Sequence, residues 1–252
     1  MRNFVLAAAA ALVISAPAFS AEEVKPMQRT WTFDGVLGKF DRQQLQRGFQ
    51  VYKEVCASCH SLKYLAFRNL QDIGYSEDQV KVIAAEYQVQ DGPDENGDMF
   101  QRPARASDHI PKPFANEQLA RASNGGALPP DLSLMTKARP DGPNYVYSLM
   151  MGYKDPPNGF ELMPGMAYNE YFAGHQIAMP EQITDERVTY ADGTKASAEQ
   201  ISADVTAFLH WVAEPKLEAR HATGIRVMLF ALLFTVLAFL YKRRLWARLG
   251  KH

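Results

Sequence analysis

Cysteine is nearly absent from this 252-residue chain: Cys56 and Cys59 are the only two. A structural zinc site draws about four ligands, usually from two such pairs, and no second pair exists here. A thioredoxin-like dithiol expects strands alternating with helices around it, and that pattern is missing too. A disulfide across two intervening residues would close too short a loop to constrain the unfolded chain much, because that effect grows with loop length. Acidic side chains are absent from both ends, since all 28 Asp and Glu lie between Glu22 and Glu218. There is no internal repeat, no low-complexity tract and no convincing set of alternating strands.

The two ends are instead apolar and basic. Residues 1–20 carry Arg2, an apolar run from Phe4 to Ile14 and a small-x-small pattern at Ala18-Phe19-Ser20, with Ala21 as an alternative cleavage point. The run is too short and wrongly flanked for a stop-transfer helix, so it reads as a cleaved secretory signal. At the other end, Ala222 to Tyr241 gives about 20 residues, enough to cross a bilayer core. Only Arg226 is charged from Ile225 to Tyr241, and long side chains near a helix end reach back to water. Lys242, Arg243, Arg244, Arg248 and Lys251 follow with no acid among them, which places residues 242–252 on the cytoplasmic side. The expected layout is an exported body at 21–221, a single membrane helix at 222–241 in the inner membrane and a short cytoplasmic tail. Without Arg2 and the six basic residues of anchor and tail, the body keeps 20 basic residues against 28 acidic ones, about −8. Such a charge favours a basic partner and disfavours nucleic acid.

Within the body, helix signals are few and clear. Asp41 offers a cap to a helix in which Leu45, Phe49, Tyr52 and Cys56 recur at helical spacing. A second short helix is expected over 77–87 and another over 144–151. Ser197 with Gln200 fits a capping box ahead of the stripe Ile201, Val205, Phe208, Leu209 and Val212, which Pro215 ends. Between them lie Gly- and Pro-rich stretches, with an acidic turn-rich loop at 91–98 and a weak hairpin signal around Ala191-Asp192-Gly193. Loops of that length lean on something, and a bound cofactor would supply it.

The remaining meaning of Cys56-Ala57-Ser58-Cys59-His60 is c-type haem attachment. Two thiols three positions apart at a helix end share a face and can each add to a haem vinyl group. The adjacent imidazole of His60 then reaches the iron from the same side. A second strong ligand would make the iron an electron carrier, and a Met there raises the potential. Loop candidates are Met99, Met135, Met163, Met166 and Met179, with His109 and His175 as imidazole rivals. Setting favours Met179, but spacing alone leaves Met163, Met166 and Met179 nearly tied.

The ordered segments GFQVYKEVCASCHSLKYLAFR, RASNGGALPPDLS, GYKDPP, YNEYFAGHQIAMP and DVTAFLHWVAEP, ahead of one C-terminal apolar helix, resemble the cytochrome c1 family from about Trp31 onward. The resemblance implies a mainly α, class I-like cytochrome c fold with long loops around a covalent haem. It implies thioethers at Cys56 and Cys59, axial ligation by His60 and Met179, and Arg121 near a haem propionate. Ala127, Pro129, Pro130 and Leu132 match the stretch that packs along the haem. Some bacterial relatives carry a second cysteine pair before the ligand Met; this chain does not, so other packing must hold that region.

The same resemblance implies an electron relay with no catalytic residues of its own, the haem c subunit of a quinol–cytochrome c oxidoreductase. A Rieske iron–sulfur protein would deliver the electron, a soluble or membrane-bound cytochrome c would remove it, and the anchor would sit in lipid against cytochrome b, in a dimeric complex. Candidate docking patches are Glu77 with Asp78, the 91–98 loop, and Glu181 with Asp185 and Glu186. Two rivals stand beside this. A stand-alone tethered cytochrome c shuttle would tend to place a small haem domain on a long flexible linker, whereas here only a few residues separate Pro215 from the span. A haem peroxidase or gas sensor would need an open iron.

Overall fold

The structure, a computed structural model, describes residues 24–247. The expected signal at 1–20 lies outside the described residues, as do Arg248 and Lys251 of the tail. Helix α1 (Arg42–Val51) starts where the Asp41 carboxylate accepts hydrogen bonds from the Gln43 and Gln44 amides. It runs directly into a wider π-helical turn, Tyr52–Cys56, closed by the Ala57 amide on the Tyr52 carbonyl at 2.8 Å. Such turns occur often at functional sites. A short 3₁₀ segment, Phe67–Ile73, leads to α2 (Glu77–Ala85), where Ser76 and Gln79 cap each other reciprocally.

Helices α3 (Glu117–Ser123), α4 (Gly142–Met151) and α5 (Ala198–Ala213) complete the body, and α6 (Leu217–Trp246) leaves it. Ser197 caps α5 through the Gln200 amide as expected, but Gln200 does not reach back. Its side chain donates instead to Asp204, whose carboxylate is fully buried and also held by Arg47 at 2.8 Å. The expected span at 222–241 lies inside α6, which extends five residues further at each end.

Two small sheets escape the sequence reading. Strands β1 (Gln88–Asp91) and β2 (Phe100–Pro103) pair antiparallel around the acidic loop. Their side chains are mostly exposed, so no apolar alternation marks them; the Arg102 guanidinium bridging Asp91 and Asp108 staples them instead. Strands β3 (Ala167–Tyr168) and β4 (Gln176–Ile177) pair across the loop before Met179. The hairpin expected around Ala191-Asp192-Gly193 forms a turn without strands. Val188 and Tyr190 both turn into the core, and Asp192 accepts from the Thr194 amide and from Arg47.

The core is centred on the crossing of α1 and α5. Leu45 and Phe49 from the first, with Tyr52 of the π-helical turn that continues it, meet Val205, Phe208 and Trp211 from the second, all buried, with Phe49 and Phe208 ring centres 5.7 Å apart. Gly48 lets the helices touch. A Cβ there would lie 2.1 Å from the Asp204 carbonyl oxygen and 2.6 Å from the Phe208 Cβ. Ala favours a helix interior by about 1 kcal/mol over Gly. Overpacking a tight core costs typically ~1–3 kcal/mol, and contacts this close to backbone put the site at the upper end. Gly48→Ala is therefore expected to destabilise the body by roughly 1–2 kcal/mol net, read by denaturant titration; equal or higher stability would mean the helices separate freely.

Candidate haem-binding site

Once past the π-helical turn, the chain tightens. The Cys59 and His60 amides both donate to the Cys56 carbonyl, at 3.1 and 2.9 Å. Cys56 and Cys59 are half-buried and their thiols are free rather than joined. Burial, then the neighbouring Cys59, pushes the Cys56 thiol up to about 12, so it stays neutral. The Tyr52 hydroxyl, beneath the motif, donates to the His60 carbonyl at 3.0 Å.

A second segment, 70 residues on, runs alongside the first. The His60 Nδ1 lies 2.8 Å from the Pro130 carbonyl oxygen. A carbonyl only accepts, so Nδ1 carries the proton and the Nε2 lone pair points elsewhere. Burial holds this imidazole below its usual range, against the opposite pull of the Pro130 carbonyl and Asp131. The Leu132 amide donates to the Ser61 carbonyl at 2.9 Å, and the Tyr64 amide to the Ser133 hydroxyl at 3.2 Å.

Asp131 binds the two segments together. Its carboxylate accepts from the Ser61 hydroxyl (2.7 Å), the Lys63 amide (2.9 Å) and the Ser133 amide (3.1 Å). Burial alone would raise this carboxyl, but those donors outweigh it and hold it below the usual carboxylate range. Asp131, Ser133 and Tyr52 are missed by the sequence reading. Asp131 sits inside the quoted PPDLS stretch, yet nothing local shows that its partners are at 61 and 63.

Of the other expected site residues, Leu132 is buried, while Ala127 and Pro129 are half-buried and Pro130 is exposed. Arg121 is exposed on α3 and donates to the Gly126 carbonyl at 3.1 Å, bracing the loop that leads to Ala127. That loop turns through consecutive left-handed glycines, Gly125 (φ +59°) and Gly126 (φ +91°), which end α3.

Met179 is held by a different network. The Tyr153 hydroxyl donates to its carbonyl at 2.9 Å, and Tyr153 bridges to Asn169. Asn169 is fully buried, donating to the Leu149 carbonyl and accepting from the Tyr171 amide. The β3–β4 pair then carries the chain to Met179, which is half-buried, whereas Met99 and Met163 are each 55% exposed. Among the described residues no hydrogen bond joins the His60 and Met179 segments directly; each is fixed from its own side. None of those residues form a group of three or more His, Cys, Asp and Glu arranged to hold a metal ion directly.

Two unjoined thiols beside an imidazole of fixed tautomer fit a covalently held haem, and the loop-rich helical body on a membrane-length helix fits the c-type cytochromes. Comparison makes this specific. The sequence model described as the Cytochrome C1 family matches residues 31–249. The chain is 48% identical to cytochrome c1 of Rhodospirillum rubrum over 235 residues, covering 87% of this chain and 86% of the relative. It is 48% identical over 245 residues to the protein called cytochrome b/c1 of Bradyrhizobium diazoefficiens, covering 88% of this chain but only 36% of that protein. It is 47% identical over 217 residues to the mitochondrial heme protein cytochrome c1 1 of Arabidopsis thaliana, covering 86% and 71%. The chain belongs to the cytochrome c1 family, whose members are the haem-carrying, electron-transferring subunit of the bc1 complex.

The Asp131 node yields a test. Hydrogen bonds to a charged group are worth roughly 1.5–3 kcal/mol. Asp131→Ala is expected to lower denaturant stability by that amount and to loosen the Pro130 contact. Asp131→Asn, which keeps one acceptor oxygen, should fall between. A wild-type midpoint in both variants would remove Asp131 from this role.

Proposed function

We propose that this chain carries one haem c, attached by thioethers at Cys56 and Cys59, with His60 and Met179 as axial ligands, and relays single electrons from a Rieske iron–sulfur protein to a soluble or membrane-bound cytochrome c. The observation that carries this reading is the fixed His60 tautomer, held by Pro130 in a family member whose motif places two free thiols beside it. Bound there, the haem iron would alternate between ferric and ferrous states, gaining and losing one electron. The residues around it work by holding still. Nδ1 donation to Pro130 aims the imidazole and increases its basicity, and Tyr52 anchors the same residue through its carbonyl. Tyr153 and Asn169 do the equivalent for the Met179 loop. Ala127, Pro129, Pro130 and Leu132 form the loop on the His60 side that would pack along the haem, and Arg121 on α3 would lie near a propionate.

In this reading the body, 21–221, lies in the periplasm, residues 222–241 cross the inner membrane and 242–252 form the cytoplasmic tail, as the basic cluster favours. The printed name of the Bradyrhizobium relative, cytochrome b/c1, supports cytochrome b as the partner of the membrane helix. The acidic surplus of the body would steer a basic carrier. Of the docking patches, Glu77 and Asp78 share Lys81 and Asp91 faces Arg102, while Asp185 caps α5 at Ala198. Glu95 and Glu181 stay exposed.

One contact argues against a free shuttle. Glu218, in the first turn of α6, accepts from the Phe40 amide and pairs with Arg42 at 2.9 Å, and Leu217 is buried. The membrane helix is thus clamped to the body at its first turn, with no long linker between. Gentle detergent purification through this chain is expected to bring a b-type cytochrome and a Rieske protein along, with quinol-oxidising activity. Recovery of a lone haem protein would favour the shuttle.

A further inference from the structure

Between Phe33 and Phe40 the chain makes a tight loop whose tip is Val36 and Leu37. Both are strongly exposed, at 68% and 78%. The loop is built to hold them there. Gly35 takes a left-handed conformation, the Gly38 amide donates to the Gly35 carbonyl at 3.2 Å, and the Lys39 amide closes the base on Thr32 at 2.9 Å. A Cβ at Gly38 would lie 2.2 Å from the Phe33 carbonyl oxygen, so only glycine fits. Beneath the base, Phe33 lies between Trp31 (5.4 Å) and His210 of α5 (4.5 Å). The tip, 35–38, carries no charge, and the nearest acid, Asp34, spends its carboxylate on the Trp31 amide.

The tip also has a definite neighbour. Val36 faces one side of α6, sharing a groove with Gly224, Ile225, Met228, Leu229 and Leu232, while Arg220 and His221 mark its polar end. From Arg220 to Leu232 is about 18 Å of helix at 1.5 Å per residue. Val36 also lines a cavity with Leu217, His221 and His210, so it lies where the polar start of α6 gives way to its apolar part. The exposed tip is continuous with the exposed apolar surface of α6 at Met228, Leu229 and Leu232.

We infer that the Val36–Leu37 loop is a second membrane contact, inserting its aliphatic tip into the interfacial layer of the outer leaflet beside α6. Together with the Glu218 clamp, it would fix the body's tilt, since one helix leaves rotation about its axis free and a second contact removes it. The occupant is lipid: the tip is uncharged, without a hydrogen-bonding side chain, and shares its groove with apolar residues of α6. The inference rests on α6 spanning a bilayer.

Nitroxide labels separate the outcomes. The full haem-loaded chain, with the subunits that co-purify, is labelled at Leu37→Cys, at Glu95→Cys on the exposed acidic loop, and at Leu233→Cys in mid-span. After reconstitution into phosphatidylethanolamine–phosphatidylglycerol vesicles, collision rates with oxygen and with a water-soluble nickel chelate are measured. Position 37 is expected to fall between 95 and 233, with several-fold more oxygen and less nickel contact than 95; Val36→Cys should agree. If 37 behaves like 95 while 233 remains in lipid, the loop contact is wrong and the span stands. Low access to both reagents at 37 means that a protein partner covers the tip, which overturns the lipid contact. Nickel access at 233 would overturn the span and the loop contact together.

Discussion

The His60 side of the site depends on one long-range contact, the pairing of the 60–64 segment with 130–133. A single imidazole is an ambiguous donor, because either nitrogen can carry the proton. The Pro130 carbonyl removes that ambiguity at 2.8 Å, and the Asp131 carboxylate keeps the carbonyl in place by gathering three donors from both segments. Proline suits the position, since it has no amide of its own to compete and its φ is fixed. The α1–α5 crossing supports the same point from below: Gly48 brings the helices into contact, and Tyr52, one turn on, reaches up to the His60 carbonyl.

The body thus braces the His60 and Met179 segments independently, each through its own hydrogen bonds. This arrangement suits one-electron transfer, where little should move between oxidation states. It also accounts for the long loops, whose order comes from polar hubs: Asp131 on one side and the buried Asn169 with Tyr153 on the other. No second cysteine pair is present, and the loop before Met179 is held by those hydrogen bonds together with the β3–β4 pair. The clamp between Glu218 and the 40–42 segment then joins this rigid body to its membrane helix without slack.

How much of this was legible in the chain differs by element. Helices α1 and α5 were legible because their caps and apolar stripes are local, α2 and α4 through their apolar stripes alone, and α6 because its apolar run ends in unopposed basic residues. The Cys-His motif was legible as chemistry, and the order of its companion segments pointed to the family. The β1–β2 hairpin was not, since its exposed strands lack alternation and an Arg102 staple replaces a buried face. The expected turn at 191–193 forms without strands beside it: Asp192 accepts from the Thr194 amide and from Arg47, a side-chain partner far along the chain that no local pattern announces. The hubs were invisible for the same reason: a Tyr, Asn or Asp in a loop says nothing about a partner far along the chain.

The central claim is an iron closed on both faces, by His60 from the motif and by Met179 from the braced loop. The most direct measurement compares the reduction potential, and carbon monoxide binding to the ferrous protein, in the wild-type chain and in Met179→Leu. The account predicts a wild-type iron that excludes carbon monoxide, and a variant with a lower potential and an iron open to it. An unchanged potential and a still-closed iron in Met179→Leu would contradict it.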